Sequence, residues 1–110
     1  MEYPNFSVLM SLYDKEKPEY LDASLESIVN QTVKPNEVVL VYDGPITDEL
    51  RAVVSRYMDM HSGLFNVLEN PVNKGLGPSL ADGVLLCSYE LIARMDTDDI
   101  SRSDRFEKQL

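Results

Sequence analysis

Residues 38–45 read Val38-Val39-Leu40-Val41-Tyr42-Asp43-Gly44-Pro45, an apolar run that stops at a cluster of turn formers. Successive side chains of a strand point to opposite faces, so a strand with one wet face alternates polar and apolar residues. A strand that is apolar throughout is covered on both faces, as in parallel sheets. Residues 38–42 therefore read as an inner strand, with Asp43 just beyond its carboxyl end. Working upstream, residues 6–13 read FSVLMSLY, again without a charge, and make a second buried strand. Between the two, Pro18 suits a first helical turn, and Leu21, Leu25, Ile28 and Val29 repeat at i, i+4, i+7 and i+8. This predicts an amphipathic helix ending near Gln31.

Downstream the alternation continues. Thr47 or Asp48 is placed to cap a helix striped by Leu50, Val53, Val54, Tyr57 and Met58, which His61-Ser62-Gly63 ends. Residues 64–69 read as a third strand and residues 70–77 as a turn-rich loop. Pro78 is expected to open a third helix striped by Leu80, Val84 and Cys87, and residues 89–95 read as a fourth strand. Ser101-Arg102-Ser103-Asp104 resembles a capping box leading into a last helix. Short apolar strands alternating with helices pair in parallel through right-handed crossovers. The expectation is an α/β fold with a mostly parallel sheet and helices on both faces, one unit over residues 1–110.

Composition narrows the function. The chain has 110 residues with 19 Asp and Glu against 10 Lys and Arg, a net charge of −9, which suits one modest core and disfavours a nucleic-acid partner. No apolar stretch approaches the roughly 20 residues needed to span a bilayer. The single cysteine, Cys87, cannot form an internal disulfide, and the start lacks a secretory leader pattern. These features lead to the expectation of a reducing, cytosolic compartment.

Ligands of open parallel sheets sit beyond the carboxyl ends of the strands. Those positions here hold acids: Asp14 after the first strand, Asp43 after the second, and Asp96-Thr97-Asp98-Asp99 after the fourth. Clustered carboxylates raise one another's pKa unless a cation joins them, and an oxygen-only set suits Mg²⁺ or Mn²⁺. One His and one Cys are too few for a zinc or copper centre. Magnesium keeps few protein ligands and completes its shell with water and substrate phosphates, which points to a diphosphate. The same residues admit a plainer reading, with Asp98 or Asp99 capping the next helix and Asp43-Gly44 forming an ordinary turn. A calcium loop counted from Asp96 fails, because its sixth position is Ser101 where glycine is required. Gly75-Leu76-Gly77 begins like a dinucleotide fingerprint but follows the third strand and ends in Leu80, although it is able to face an anion with Lys74 beside it.

The strings SVLMSLYD (7–14), SIVNQT (27–32), PNEVVLVYDG (35–44), NKGLG (73–77) and IARMDTDDISRSDRFEKQ (92–109), in this order, closely resemble the family 2 glycosyltransferases of the GT-A fold. The match runs nearly end to end and covers the nucleotide-binding half of such enzymes. The resemblance implies inverting transfer of a sugar from a nucleoside diphosphate donor, usually uridine-linked, to a hydroxyl of a saccharide or lipid-linked acceptor. By position, the Leu12-Tyr13 end of strand one would contact the base, Asp43 the uracil edge, Lys74 the nucleotide and Asp96 the ribose. Asp98 would coordinate the metal, with Asp96 and Asp99 as further metal candidates and Arg94 in support. Asp14 departs from the pattern, standing where many members have Asn. No catalytic residue is expected within the segment, since the family's general base lies well downstream of the acidic run and is expected beyond Leu110. Such an enzyme would be cytoplasmic or peripheral at the inner face of the membrane.

Two other classes compete. A nucleotidyltransferase also pairs aspartates with a metal, but it generally places a glycine- and arginine-rich phosphate loop after strand one, where this chain has Asp14-Lys15-Glu16-Lys17-Pro18. A receiver-like magnesium module would need an isolated aspartate ending its third strand, where Glu69-Asn70-Pro71 stand instead.

Overall fold

The computed structural model describes residues 3–96 and 105–109. Four strands, β1 (Ser7–Leu12), β2 (Glu37–Tyr42), β3 (Phe65–Glu69) and β4 (Ile92–Arg94), alternate with α1 (Pro18–Val29), α2 (Asp48–Met60) and α3 (Leu76–Leu86), and α4 (Arg105–Gln109) follows. The sheet order is β3-β2-β1-β4 and every pairing is parallel. Ser7 is in register with Glu37 and Leu12 with Tyr42, while Val38 is in register with Phe65 and Leu9 with Arg94. All carboxyl ends therefore share one edge.

The alternation of side chains along β1 and β2 divides the core in two. Val8, Met10, Leu12, Val38, Leu40 and Tyr42 face α1 and α2, whereas Leu9, Val39 and Val41 face Leu80 of α3. Every residue of β2 is buried, as its unbroken apolar run requires. The α1 stripe of Leu21, Leu25, Ile28 and Val29 is buried throughout, and each such side chain contributes roughly 1.5–3 kcal/mol. Thr47 caps α2, its Oγ1 accepting the Leu50 N–H at 3.2 Å.

Three boundaries differ from the sequence reading. Helix α3 begins at Leu76 rather than Pro78, because Gly75 serves as its cap and a proline within the first turn forfeits no intrahelical bond. Its buried face is Ser79, Leu80 and Gly83, while Val84 of the expected stripe is exposed and Cys87 lies past the helix end. Gly83 is what lets α3 press on the sheet: a Cβ there would collide with Leu9 Cδ1 and lie 2.8 Å from Val41 Cγ2. Strand β4 has three residues instead of the expected 89–95, its pairing bracketed by Ser7 N–H to Leu91 O and Met95 N–H to Leu9 O. Among the described residues its one neighbour in the sheet is β1. The expected capping box at 101–104 lies outside the described residues.

At the amino edge of the sheet, Glu37 is buried among donors. Its Oε1 accepts Ser7 Oγ–H and Ser88 N–H, each at 2.8 Å, and its Oε2 accepts Asn66 Nδ2–H at 2.7 Å and Ser88 Oγ–H at 2.9 Å. Burial pushes this carboxyl up, but the bonds from Ser88, Ser7 and Asn66 together outweigh it and hold the pKa below the ordinary 4.5.

A group depressed in the folded state stabilises the fold above its unfolded pKa, and that contribution is lost as pH falls through the folded value. Urea midpoints should therefore decline below pH 4.5, and Glu37→Gln should flatten that part of the profile while lowering stability by about 1–3 kcal/mol. An unchanged profile would show that Glu37 does not drive it. Gly83→Ala should destabilise by about 1–3 kcal/mol in the same assay through overpacking, despite the helix propensity gained.

Candidate functional site

Asp43 leaves the end of β2 nearly buried, 5% exposed, where a carboxylate needs donors. It finds them in the loop before α3: Oδ1 accepts the Lys74 N–H at 2.6 Å and Oδ2 accepts the Gly75 N–H at 3.0 Å. Asn73 Nδ2 donates to the Asp43 carbonyl at 3.2 Å, and the Asp43 N–H donates to Leu12 O at 2.7 Å. One residue thus ties β1, β2 and the approach to α3 together. Two glycines make the approach possible. Gly44, at φ 86°, has the Asn73 nitrogen 2.8 Å from where a Cβ would stand, and Gly75, at φ 92°, takes the left-handed conformation that caps α3.

The result is a cleft of about 500 Å³ over the carboxyl ends of β1, β2 and β4. Its floor includes Ser11 and Asp43, and Asp96 stands beyond β4. Tyr13 and Glu16 come from the loop after β1, and Asn73, Gly75 and Leu76 from the α3 approach. Tyr13 is 44% exposed, so one flat ring face is available to a planar ligand. The first turn of α3 adds the positive end of a helix dipole. The cleft therefore combines carboxylate acceptors, orphan helical N–H groups and an aromatic ring, a set suited to a polar ligand with a planar part and an anionic part.

The expected residues divide. Asp43, Tyr13 and Asp96 meet at the cleft. Leu12 has its side chain fully buried in the core and reaches this edge only through its carbonyl, which Asp43 occupies. The Lys74 ammonium pairs with Asp82 of α3 at 2.7 Å, while the Lys74 backbone binds Asp43. Arg94 is exposed on β4, and its carbonyl accepts Arg105 Nη2–H at 3.5 Å. Asp98 and Asp99 lie outside the described residues. Sequence reasoning does not single out Ser11, Glu16, Asn73 or Leu76. Asn73 and Leu76 fall inside the NKGLG string, but Ser11 and Glu16 carry no signal beyond their place at and after the end of strand one.

The model of the family described as "Glycosyl transferase family 2" matches residues 7–110. Among curated relatives, the amylovoran biosynthesis glycosyltransferase AmsE of Erwinia amylovora is 50% identical over 105 residues, covering 96% of this chain and 39% of the relative. The Escherichia coli UDP-Gal:alpha-D-GlcNAc-diphosphoundecaprenol beta-1,3-galactosyltransferase is 42% identical over 107 residues, covering 94% of this chain and 37% of the relative. The chain thus spans less than two fifths of the length of these relatives. Among solved structures, Staphylococcus aureus TarS in complex with UDP-GlcNAc superposes with a TM-score of 0.81 at 24% identity, covering 96% of this chain and 30% of that one. The Pyrobaculum calidifontis mannosyltransferase in complex with GDP-Man and Mn²⁺ gives 0.75 at 23%, covering 88% and 28%, and both share the fold. On a match that spans the whole sheet and its strand-end cleft, the chain belongs to glycosyl transferase family 2.

Proposed function

We propose that this chain forms the donor-binding part of an enzyme that transfers a sugar, with inversion, from a UDP-sugar to a hydroxyl of a saccharide or lipid-linked acceptor. The observation that carries the reading is the cleft where Tyr13, Asp43, Asp96 and the α3 N-terminus converge in a family 2 chain. The Escherichia coli relative is named for a UDP-Gal donor and a diphosphoundecaprenol acceptor, and the TarS structure holds UDP-GlcNAc. In this reading the Tyr13 ring packs on the base, and Asp43 uses its remaining lone pairs for the uracil edge. Asp96 takes the ribose, and Lys74 stands by the nucleotide. No helix among the described residues is long and apolar enough to cross a membrane, and a lipid-linked acceptor would bring the protein to the cytoplasmic face as a peripheral partner.

The donor set fits a hard divalent cation, Mn²⁺ or Mg²⁺. The cleft offers carboxylate, hydroxyl and amide oxygens, whereas His61 and Cys87, the single members of their kinds, precede β3 and β4 at the opposite edge of the sheet. Among the described residues no three His, Cys, Asp or Glu side chains converge as a ready cage, so the ion would rest on Asp98, with Asp96 and Asp99, and on diphosphate oxygens. When bound, it would neutralise charge developing on the departing diphosphate. Arg94 supports the same end of the cleft. The general base that deprotonates the acceptor belongs, by the family resemblance, to a carboxylate downstream of the acidic run. The chain by itself is accordingly proposed to bind donor without transferring sugar.

Calorimetric titration with UDP should show binding that Mn²⁺ strengthens; a folded sample that binds under neither condition would overturn the reading. Asp98→Ala should abolish the Mn²⁺ enhancement and leave the urea midpoint unchanged. Asp43→Asn sets an amide N–H₂ against the Lys74 or Gly75 N–H, and it should cost about 1–3 kcal/mol of stability and weaken UDP binding with and without Mn²⁺.

A further inference from the structure

A second cavity, of about 380 Å³, opens beyond the carboxyl end of β3. Gly44 and Pro45 line it from the turn after β2, Arg51 from α2, and Glu69, Asn70 and Pro71 from the end of β3 and the loop that follows. None of these residues lines the strand-end cleft. Asp43 does, so the turn from Asp43 to Gly44 stands between the two spaces. Asn70 is anchored by its backbone N–H on Tyr42 O at 3.0 Å and is 8% exposed, yet its Nδ2 is shut off from solvent and meets no acceptor. A buried donor left unpaired is destabilising, and an acceptor seated in the cavity that Asn70 lines would remove the penalty.

The polar wall of the cavity is charge-balanced. Arg51 lies across the Tyr42 ring, 5.4 Å from its centroid, and its Nη2 meets Glu69 Oε1 at 2.5 Å. The pair leaves Glu69 Oε2 and most of the guanidinium N–H groups to a ligand. Its charges cancel, and Asp48, three residues before Arg51 on the same helix, adds a negative one. An anion therefore meets no surplus positive charge here. A hydroxyl donates and accepts at once, which suits a wall holding both a donor and an acceptor. Pro45 and Pro71, both exposed, supply apolar walls whose φ is fixed by the ring, so little freedom is lost when a ligand packs on them. A pyranose ring has hydroxyls around its rim and an apolar C–H face. We infer that this cavity is a second saccharide site, which takes a neutral pyranose with one hydroxyl accepting from Asn70 and Arg51 and another donating to Glu69. Its volume lies within the roughly 300–1,000 Å³ of small-ligand pockets. The site goes beyond the donor-binding reading and does not depend on it.

The test is an NMR titration of the isotope-labelled whole chain with the methyl glycosides of glucose, galactose and N-acetylglucosamine, and with sodium acetate as the anionic arm. At least one glycoside should shift the Asn70 side-chain amide and the Arg51 Nε–H saturably, with a Kd on the order of 1 mM, while acetate leaves both signals in place. Asn70→Leu, which keeps the volume and removes the amide, should weaken that binding about tenfold, as should Arg51→Met, which keeps a stem over Tyr42. UDP affinity should be unchanged in both variants. A folded chain that shows no saturable shift at Asn70 and Arg51 with any of the glycosides would overturn the site. Acetate moving the same signals would make it an anion site and overturn the saccharide class. Shifts confined to Tyr13 and Gly75 would place the sugar in the donor cleft and overturn it as well. The same follows if Asn70→Leu folds and keeps the wild-type Kd; should it fail to fold, an unchanged Kd in Arg51→Met decides against the site. A chain that binds a glycoside here but no UDP would support this inference and overturn only the donor reading.

Discussion

The parallel ladder between β1 and β2 is the constraint from which the rest of the molecule follows. Both strands are sealed on two faces, so neither tolerates an unpaired backbone group or a wrong register, and a slip by one residue would exchange the faces given to α1 and to α3. Once Leu12 and Tyr42 are level, the residues that follow them must emerge side by side. That is how Tyr13 and Asp43, thirty residues apart in the chain, come to line one cleft with no contact designed for the purpose. The β3-β2-β1-β4 order then brings Asp96 up on the other side of β1, where the direction of winding reverses.

Both ends of β2 carry a carboxylate, and the fold treats them alike. Glu37 at the amino edge and Asp43 at the carboxyl edge are each 5% exposed and each satisfied by donors from neighbouring segments. Glu37 accepts four bonds and is not among the residues lining the strand-end cleft, and it closes the lower edge of the sheet. Asp43 accepts one N–H on each oxygen and also lines the cleft, which leaves it capacity for a ligand. The difference between the two acids lies in how many acceptor positions the protein itself has used.

Much of this is legible in the chain because hydrophobic period is a strong signal where both faces are buried. The α1 stripe, the Thr47 cap and the apolar runs of β1 and β2 all translate directly into structure. The failures are equally physical. The α3 stripe escapes the pattern because the helix rests on glycine and serine, small residues that hydrophobic patterning does not register. Strand β4 is shorter than its apolar segment suggests: it pairs with Ser7–Leu9 and leaves β1 while that strand continues to Leu12, a departure that apolar patterning does not register. At the site, Asp43 is visible as a strand-end acid, but its hold on the 73–75 loop is not, since nothing in the spacing of residues 43 and 74 announces their contact. Leu12 stands at the end of β1 beside the cleft, but the alternation turns its side chain into the core, which position along the strand alone does not announce.

The attachment of α4 also bears on the order in which the fold assembles. Each of the first crossovers joins elements close in sequence, whereas the Gln31 to Phe106 bond closes a separation of 75 residues. Closing a long loop costs chain entropy before any contact rewards it, and contacts of high sequence separation slow folding accordingly. Phe106 would thus reach its place against Phe6 and Gln31 only after α1 has settled on the β1–β2 ladder. During synthesis, when the amino-terminal residues emerge first, the nascent chain would pair β1 with β2 and seat α1 while Phe106 is still unmade, so the pocket beside Phe6 waits open for a ring supplied from the far end of the sequence.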